Sequence, residues 1–393
     1  MAFGLVLAAF AAFQQFKLPP VLPVMLEDYG YDRVLAGGFM GIYALMGLLL
    51  SLPLSRLIGR AGPLRPVWGA LLLFLAGNFL TLALPEAGWV VLLARALEGL
   101  AFTVLALVGP ASANANADRR HLPLVFALTA SWIPAGQIAA ALVALPTQDA
   151  GLWRPVWWVC MAATLAMALW LVALQRGRGL YLGGGQQPGK APRPLTAEER
   201  LLLWGSGAAF LIFSGQYIAY MTWFPAYMVE ALAFTPADAI FVYLVPVAMT
   251  AVFNVVAALL MRRGLPPAGL LVIGFALEVV GWVFLPEAEG LLLGLLLLAY
   301  GAGGGLVPAG LFAMPTTIVG AGGPTIPAFA ILMTLRNLGV LIGPLALPVL
   351  IGPQSGWGLA APVFAAVCLL ALLLCLLLAR RLKRRPPLLP GGA

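Results

Sequence analysis

The sequence predicts an all-α polytopic membrane protein: twelve transmembrane helices in two pseudo-symmetric six-helix bundles, with both termini cytoplasmic. Three observations carry the prediction. The 393-residue chain is 62% hydrophobic and 9% charged, with mean hydropathy +1.01, whereas soluble domains carry roughly 25% charged residues. About twelve apolar stretches of the ~20 residues needed to cross hydrocarbon account for almost the whole length. Finally, the gaps between them alternate in charge. Basic gaps hold Arg56, Arg60 and Arg65; Arg119 and Arg120; Arg176, Arg178, Lys190, Arg193 and Arg200; and Arg262 and Arg263, with Arg380, Arg381, Lys383, Arg384 and Arg385 in the tail. The other gaps hold Glu27, Asp28 and Asp32; Glu86; Asp149; Glu230 and Asp238; and Glu287 and Glu289, with Arg33 and Arg154 as basic exceptions. Basic loops stay in the cytoplasm, so an even number of crossings returns the chain to the side where it began.

In order, the expected spans are 3–24, 34–55, 66–85, 88–110, 122–146, 153–174, 201–227, 238–261, 267–285, 290–313, 325–351 and 357–379. No Lys or Arg precedes Lys17, and the first apolar run exceeds a signal-peptide core, so it reads as a membrane helix. Tryptophans near the span ends read as interfacial anchors: Trp89, Trp153, Trp157, Trp223 and Trp357 outside, Trp68 and Trp204 inside. One gap, 314–324, belongs on the cytoplasmic side yet carries no charge.

The longest polar segment, 175–200, contains Gly183-Gly184-Gly185 and Pro188 to Pro194 among basic residues, the composition of a flexible linker. It separates a bundle at 1–174 from one at 201–385, followed by a tail at 386–393. The halves echo each other: Leu57-Ile58-Gly59-Arg60-Ala61-Gly62 follows span 2, and Leu259-Leu260-Met261-Arg262-Arg263-Gly264 follows span 8. Parallel six-helix repeats are the layout of one large class of secondary transporters. The +8 net charge reads as loop charge facing anionic lipid, not as nucleic-acid affinity. Cys160, Cys368 and Cys375 fall inside apolar spans, and the single His121 lies in a basic loop. That leaves little material for a disulfide framework, metal binding or nucleophilic catalysis; no cofactor and no enzymatic activity are expected.

Between spans 2 and 3, Ser55-Arg56-Leu57-Ile58-Gly59-Arg60-Ala61-Gly62-Pro63-Leu64-Arg65 resembles the Gly-x-Leu-Ala-Asp-Arg-x-Gly-x-Arg-Arg signature of the major facilitator superfamily. Arg60, Gly62 and Arg65 fit, while Gly59 replaces the signature's Asp. In span 4, Arg95-Ala96-Leu97-Glu98-Gly99 resembles the family's Arg-x-x-x-Gly motif. In span 11, Gly339-Val340-Leu341-Ile342-Gly343-Pro344 resembles its Gly-x-x-x-Gly-Pro element, a pattern that also serves close helix approach through small residues. The resemblance covers the whole chain. It implies a secondary transporter that rocks two bundles about a central site, acting as a monomer on a small-molecule substrate in a lipid bilayer. Pro53 after Ala36-Gly37-Gly38, Thr222-Trp223-Phe224-Pro225 and Gly301-Ala302-Gly303-Gly304-Gly305 resemble the cyanate-permease branch, whose members move small anions and some uncharged or aromatic solutes.

Lys17, Arg95, Glu98, Glu278 and Arg336 are ionisable residues within expected spans. At the bilayer centre a charge costs about 2.5–3.5 kcal/mol on insertion scales, so each is a functional candidate. Arg95 and Glu98, three apart, share a helix face. They form either a neutralising pair or a proton switch in which protonated Glu98 frees Arg95. Lys17 either snorkels outward or joins Gln14 and Gln15 in a deep polar patch. Arg336, beside Asn337 near the middle of span 11, is nominated as the substrate-contacting charge. Glu278 in span 9 is either a packed neutral acid or a proton site. If Arg95 and Glu98 cancel, Lys17 and Arg336 leave one cation per half, which one anion could bridge. Tyr43, Trp132, Gln137, Gln216, Tyr217, Tyr220, Asn254 and Tyr300 are nominated to complete the site. The favoured substrate is a small organic or inorganic anion moved by proton symport or exchange. Proton-coupled export of hydrophobic or cationic compounds is the alternative, with a non-transporting membrane receptor behind it.

Overall fold

The computed structural model describes residues 1–116, 131–148, 150–177, 182, 193–285, 288–320 and 324–384. Arg119, Arg120, His121, Asp149, Arg178, Lys190, Glu287 and Arg385, the linker glycines 183–185 and the first part of the expected fifth span lie outside them. Among the described residues every regular element is helical. Eleven helices are long and apolar enough to cross a membrane, and a shorter apolar one covers Trp132–Thr147.

Span 1, Ala2–Tyr29, is broken: an α-helix over Ala2–Phe16 ends at Lys17, a 3₁₀ turn follows at Pro19–Val21, and helix resumes at Leu22–Tyr29. Pro19 and Pro20 lack the N–H groups that would close the preceding turn, which forces the break. Span 2 is Arg33–Ala61, started by Asp32, whose side chain accepts from Leu35 N at 3.0 Å, and stopped at Gly62. Spans 3 to 6 are Leu64–Ala83, Gly88–Ala115, Trp132–Gln148 and Arg154–Arg176. Span 7, Ala197–Glu230, opens on a reciprocal cap. Glu199 N donates to Thr196 Oγ1 (3.2 Å) and Thr196 N to Glu199 Oε2 (2.9 Å), so two of the helix's orphan donors are satisfied. Thr235 caps span 8, Pro236–Arg262, in a similar way, accepting from Asp238 N at 3.1 Å. Spans 9 to 12 are Pro267–Phe284, Gly290–Val319, Thr325–Ser355 and Ala360–Lys383.

The helices outrun the apolar stretches where the sequence turns polar or small. Span 2 continues through the Arg56–Arg60 stretch, and the turn falls at Gly62 (φ 76°); its echo after span 8 turns at Gly264 (φ 95°). Both glycines occupy the left-handed region that disfavours a Cβ. Within the uncharged gap expected at 314–324, span 10 runs on to Val319 and stops at Gly320.

Two compact units divide the chain. One comprises Met1–Gln187, Tyr220–Val247 and Pro344–Val349; the other comprises Pro188–Ala219, Ala248–Gly343 and Leu350–Ala393. Lipid offers no hydrophobic drive between helices, so close packing through small residues holds each unit. In the first, span 1 packs on spans 4 and 5. A Cβ on Gly4 would meet Ala113 N at 2.5 Å, and one on Gly136 would meet Phe13 N at 2.5 Å. Trp223 Nε1 donates to Pro344 O (2.9 Å), Gly37 backs onto the same carbonyl, and Arg33 pairs with Glu230 at 2.9 Å. In the second, span 9 packs on spans 10 and 12. There Gly339 and Gly343 let span 11 touch span 7, since a Cβ on Gly343 would collide with Gly215 O. Leu72, Phe79, Leu169 and Leu291 are exposed, which is the correct state for a lipid-facing surface.

Several expected interfacial tryptophans have other roles. Trp89 and Trp204 do point outward, but Trp153, Trp157 and Trp223 are buried. Trp153 Nε1 donates to Tyr29 OH (3.2 Å), and Trp157 lies beneath Lys17.

Candidate functional site

The break in span 1 organises a buried polar cluster in the first unit. Within a continuous helix Gln15 O would accept from the N–H four residues on, but that residue is Pro19. The guanidinium of Arg95, reaching from span 4, takes the vacancy: NH2 donates to Gln15 O (2.7 Å) and NH1 to Gln14 O (3.2 Å), while Nε donates to Phe39 O of span 2 at 3.1 Å. Arg95 is thus the donor that the proline break requires, and it ties together spans 1, 2 and 4.

Glu98, one helical turn on, sits between two cations. Its Oε2 pairs with Arg95 NH1 at 2.7 Å and its Oε1 with Lys17 Nζ at 2.7 Å; all three side chains have zero exposure. Tyr43 OH donates to Oε2 (2.7 Å), and its ring lies 4.4 Å from the Arg95 guanidinium. Lys17 Nζ also donates to Asn78 Oδ1 (2.6 Å) and Gln14 Oε1 (3.1 Å), and it sits 5.0 Å from the Trp157 ring centroid. Gln14 Nε2 in turn donates to Cys160 O (3.1 Å) and Thr164 Oγ1 (3.0 Å) of span 6. Gly77 makes room for the carboxylate, since a Cβ there would meet Glu98 Cγ at 2.6 Å. Lys17 therefore does not snorkel. Nor does Arg95 alone neutralise Glu98: the carboxylate is shared, and the cluster of Lys17, Arg95 and Glu98 carries net charge +1. Lys17 is committed to this cluster rather than left as the first half's spare cation.

Asn78 was not among the sequence candidates, although it is central here. Its signal was present as an amide in the middle of the apolar stretch 66–85. Trp132 lies nearby by a chain of rings, stacking on Phe102 (5.6 Å), which meets Tyr43 edge-on at 5.6 Å. Gln137 is fully buried, and neither of its amide atoms makes a hydrogen bond.

In the second unit the candidates separate into two places. Arg336 lies mid-way along span 11, half-buried, and its NH1 donates to Asn337 Oδ1 at 2.9 Å. Among the described residues no carboxylate lies within ion-pair distance of it. Ser214 of span 7 holds the Arg336 backbone carbonyl at 2.9 Å. Elsewhere, Gln216 Oε1 accepts from Trp282 Nε1 (2.8 Å) and Tyr300 OH (2.6 Å), with Glu278 fully buried alongside. Tyr217 stacks on Phe213 (5.3 Å) and donates to Thr250 Oγ1 at 3.3 Å, whereas Tyr220 belongs to the first unit, where it stacks on Phe224 at 4.6 Å. The glycine-rich run of span 10 admits these side chains, since a Cβ on Gly304 would meet Tyr217 and Thr250 at 2.8 Å. Gly305 does the same for the backbone at Asn254 (2.8 Å).

The motif residues have structural positions. Gly99 lets span 4 approach Tyr43 Cα, 2.9 Å from where its Cβ would be. Arg60 occupies the last turn of span 2, where a cation favours the helix C-terminus. Gly59 lies in that same helix, and Arg56, Arg60 and Arg65 are exposed. Cys160, Cys368 and Cys375 are buried free thiols. Among the described residues no three His, Cys, Asp or Glu side chains gather as metal ligands would.

Comparison with known proteins places this arrangement. The chain is 29% identical over 193 residues to the inner membrane transport protein YajR of Escherichia coli (strain K12). That match covers 46% of this chain and 41% of YajR, less than half the length of the relative. Over 98% of both chains, the fold is similar to a bacterial homologue of the human lysosomal transporter Spinster, with a TM-score of 0.78 and 12% identity in its inward-facing, unoccupied conformation. The occupied, inward-facing form of that homologue gives a TM-score of 0.74 at 13% identity. A family model described as Major Facilitator Superfamily matches residues 4–324, and the chain belongs to that superfamily.

Proposed function

We propose that this protein is a secondary active transporter of the inner membrane that carries a small organic or inorganic anion by alternating access. Residues 1–174 and 201–385 act as the rocking bundles, joined by the cytoplasmic segment 175–200, with both termini on that side. Superfamily membership supports transport as the general activity, and the likeness to an inner membrane transport protein supports the location.

One observation carries the choice of an anion. Arg336 stands within a membrane span with an amide as its partner and no carboxylate in ion-pair range among the described residues. An uncompensated cation there costs about 2.5–3.5 kcal/mol, and a bound anion offsets that cost. The net +1 of the Lys17–Arg95–Glu98 cluster has the same sign. It repels lipophilic cations and gives the coupling proton a place: protonating Glu98 removes the negative charge between Lys17 and Arg95 and frees both cations together.

The test is thermal unfolding of the detergent-purified protein against a panel of small anions and lipophilic cations. A ligand that binds the folded state at about 100 times its Kd adds about 2.7 kcal/mol of stability. Stabilisation by an anion, lost in Arg336→Ala and partly kept in Arg336→Lys, is the expected result. Stabilisation by lipophilic cations alone overturns the reading in favour of export of hydrophobic compounds.

A further inference from the structure

The carboxyl of Glu278 in span 9 is fully buried, and neither oxygen makes a hydrogen bond. Every element packed against it supplies neutral groups. Span 10 offers the Tyr300 phenol and Gly303, whose Cα backs onto Glu278 Cγ. Span 12 brings the Cys368 and Cys375 thiols into electrostatic range. Span 7 contributes Gln216. Among the described residues no Lys, Arg or His lies within ion-pair distance. A buried carboxylate with no cation beside it is costly, so burial among neutral groups favours the neutral acid.

The surroundings do more than accommodate a neutral side chain. Trp282 Nε1 and Tyr300 OH both donate to Gln216 Oε1. This fixes the amide so that its NH2 is the end left for the carboxyl, and Nε2 is otherwise buried without a hydrogen-bond partner, as the carboxyl oxygens are. A pinned donor without a positive charge can serve either protonation state of the acid without locking it in one. Glu278 also lies about 200 residues from Asn78, near the offset at which Gly62 recurs as Gly264. Each half thus carries a buried polar side chain within its third span, Asn78 in span 3 and Glu278 in span 9, though not at the same helical position. In the first half it is an amide beside a lysine; in the second it is an acid beside an amide.

We infer that Glu278, facing the amide of Gln216 that Trp282 and Tyr300 hold in place, is a proton-binding site of the second half, separate from the Lys17–Glu98–Arg95 cluster. The acid releases its proton to water as H⁺ and recovers it from water, leaving the carboxylate in between. This inference does not rest on the anion reading, and its test needs no substrate.

The experiment is infrared spectroscopy of the full-length protein in nanodiscs at neutral pH, in H2O and after transfer to D2O. The wild type should show the C=O stretch of a neutral carboxylic acid, lost in Glu278→Gln and retained in Glu98→Gln. The band should move in frequency in Glu278→Asp, which carries the assignment if the glutamine variant does not fold. Transfer to D2O should shift it downward. A spectrum with no such band, or a band indifferent to both Glu278 variants, shows that the group is ionised and overturns the inference. A band that never shifts in D2O shows a sealed proton and overturns it equally.

Discussion

Among the described residues each half of this protein holds one carboxyl group at zero exposure, Glu98 in the first and Glu278 in the second, and the two are treated in opposite ways. In the first, Glu98 receives Lys17, Arg95 and Tyr43, so both of its oxygens are met by donors and two of the three donors are charged. In the second, Glu278 has tyrosine, cysteine and an amide around it and, among the described residues, no cation within ion-pair distance. Both groups are at zero exposure, so burial alone does not decide what a membrane-embedded acid does. Its partners decide. Glu98 is held between two basic side chains and a phenol, contacts that tie spans 1, 2 and 4 together. Glu278 faces the uncharged Gln216 amide, which can accompany the acid or the carboxylate.

The same substitution in the two places breaks or sharpens this contrast. Glu98→Gln strands Lys17 and Arg95 together in a site with no anion. Removing one partner of a buried pair costs about 3–5 kcal/mol, so a large loss of stability in thermal or denaturant unfolding is expected. Glu278→Gln replaces a neutral group by a neutral group of the same shape, and should cost less than about 1.5 kcal/mol. Equal losses at the two sites would erase the distinction. A second, smaller contrast concerns helix contacts. Gly343→Ala drives a Cβ into the backbone carbonyl of Gly215, which has no side-chain torsion with which to give way. Gly99→Ala meets Tyr43 Cα at 2.9 Å and the pliable Met46 side chain at 3.3 Å. Overpacking costs typically about 1–3 kcal/mol. The Gly343 variant belongs at or above the top of that range and the Gly99 variant near the bottom, read as the difference between their unfolding free energies.

The spans were legible because composition and alternating loop charge leave few other ways to satisfy the backbone of so apolar a chain. Span ends were less so: the run past residue 313 to Val319 is uncharged and carries Pro315, so it looks like a loop although it continues the helix. The candidate charges stood out for the same compositional reason, since Lys17, Arg95, Glu98, Glu278 and Arg336 are exceptions in apolar text. Which cation meets which acid was not legible. Arg95 and Glu98 are three residues apart, and helix geometry pairs them. Lys17 and Glu98 are 81 residues apart, and their contact depends on how spans 1 and 4 cross. Asn78 was overlooked because one amide in a long apolar stretch has no local partner to reveal its purpose, and its partner Lys17 is 61 residues away. The proline break was visible as Pro19-Pro20, but its consequence, a vacant carbonyl at Gln15 filled by Arg95, required the third dimension.

The smallest effect isolates burial from pairing. Arg33 and Glu230 approach at 2.9 Å, close to the 2.7 Å of Arg95 and Glu98, and the chemical groups are identical. Their side chains, however, are 42% and 33% exposed, against zero for the buried pair. Water screens the exposed pair and hydrates either partner if the other is removed, and such pairs are worth about 0–1 kcal/mol. Arg33→Ala should therefore lower unfolding stability by no more than about 1 kcal/mol, and adding salt should change the wild type no more than it changes the variant by that same margin. A loss at Arg33 comparable to the loss at Glu98 would mean that distance rather than environment sets the strength of these ion pairs, and the account given for the two buried acids would fail with it.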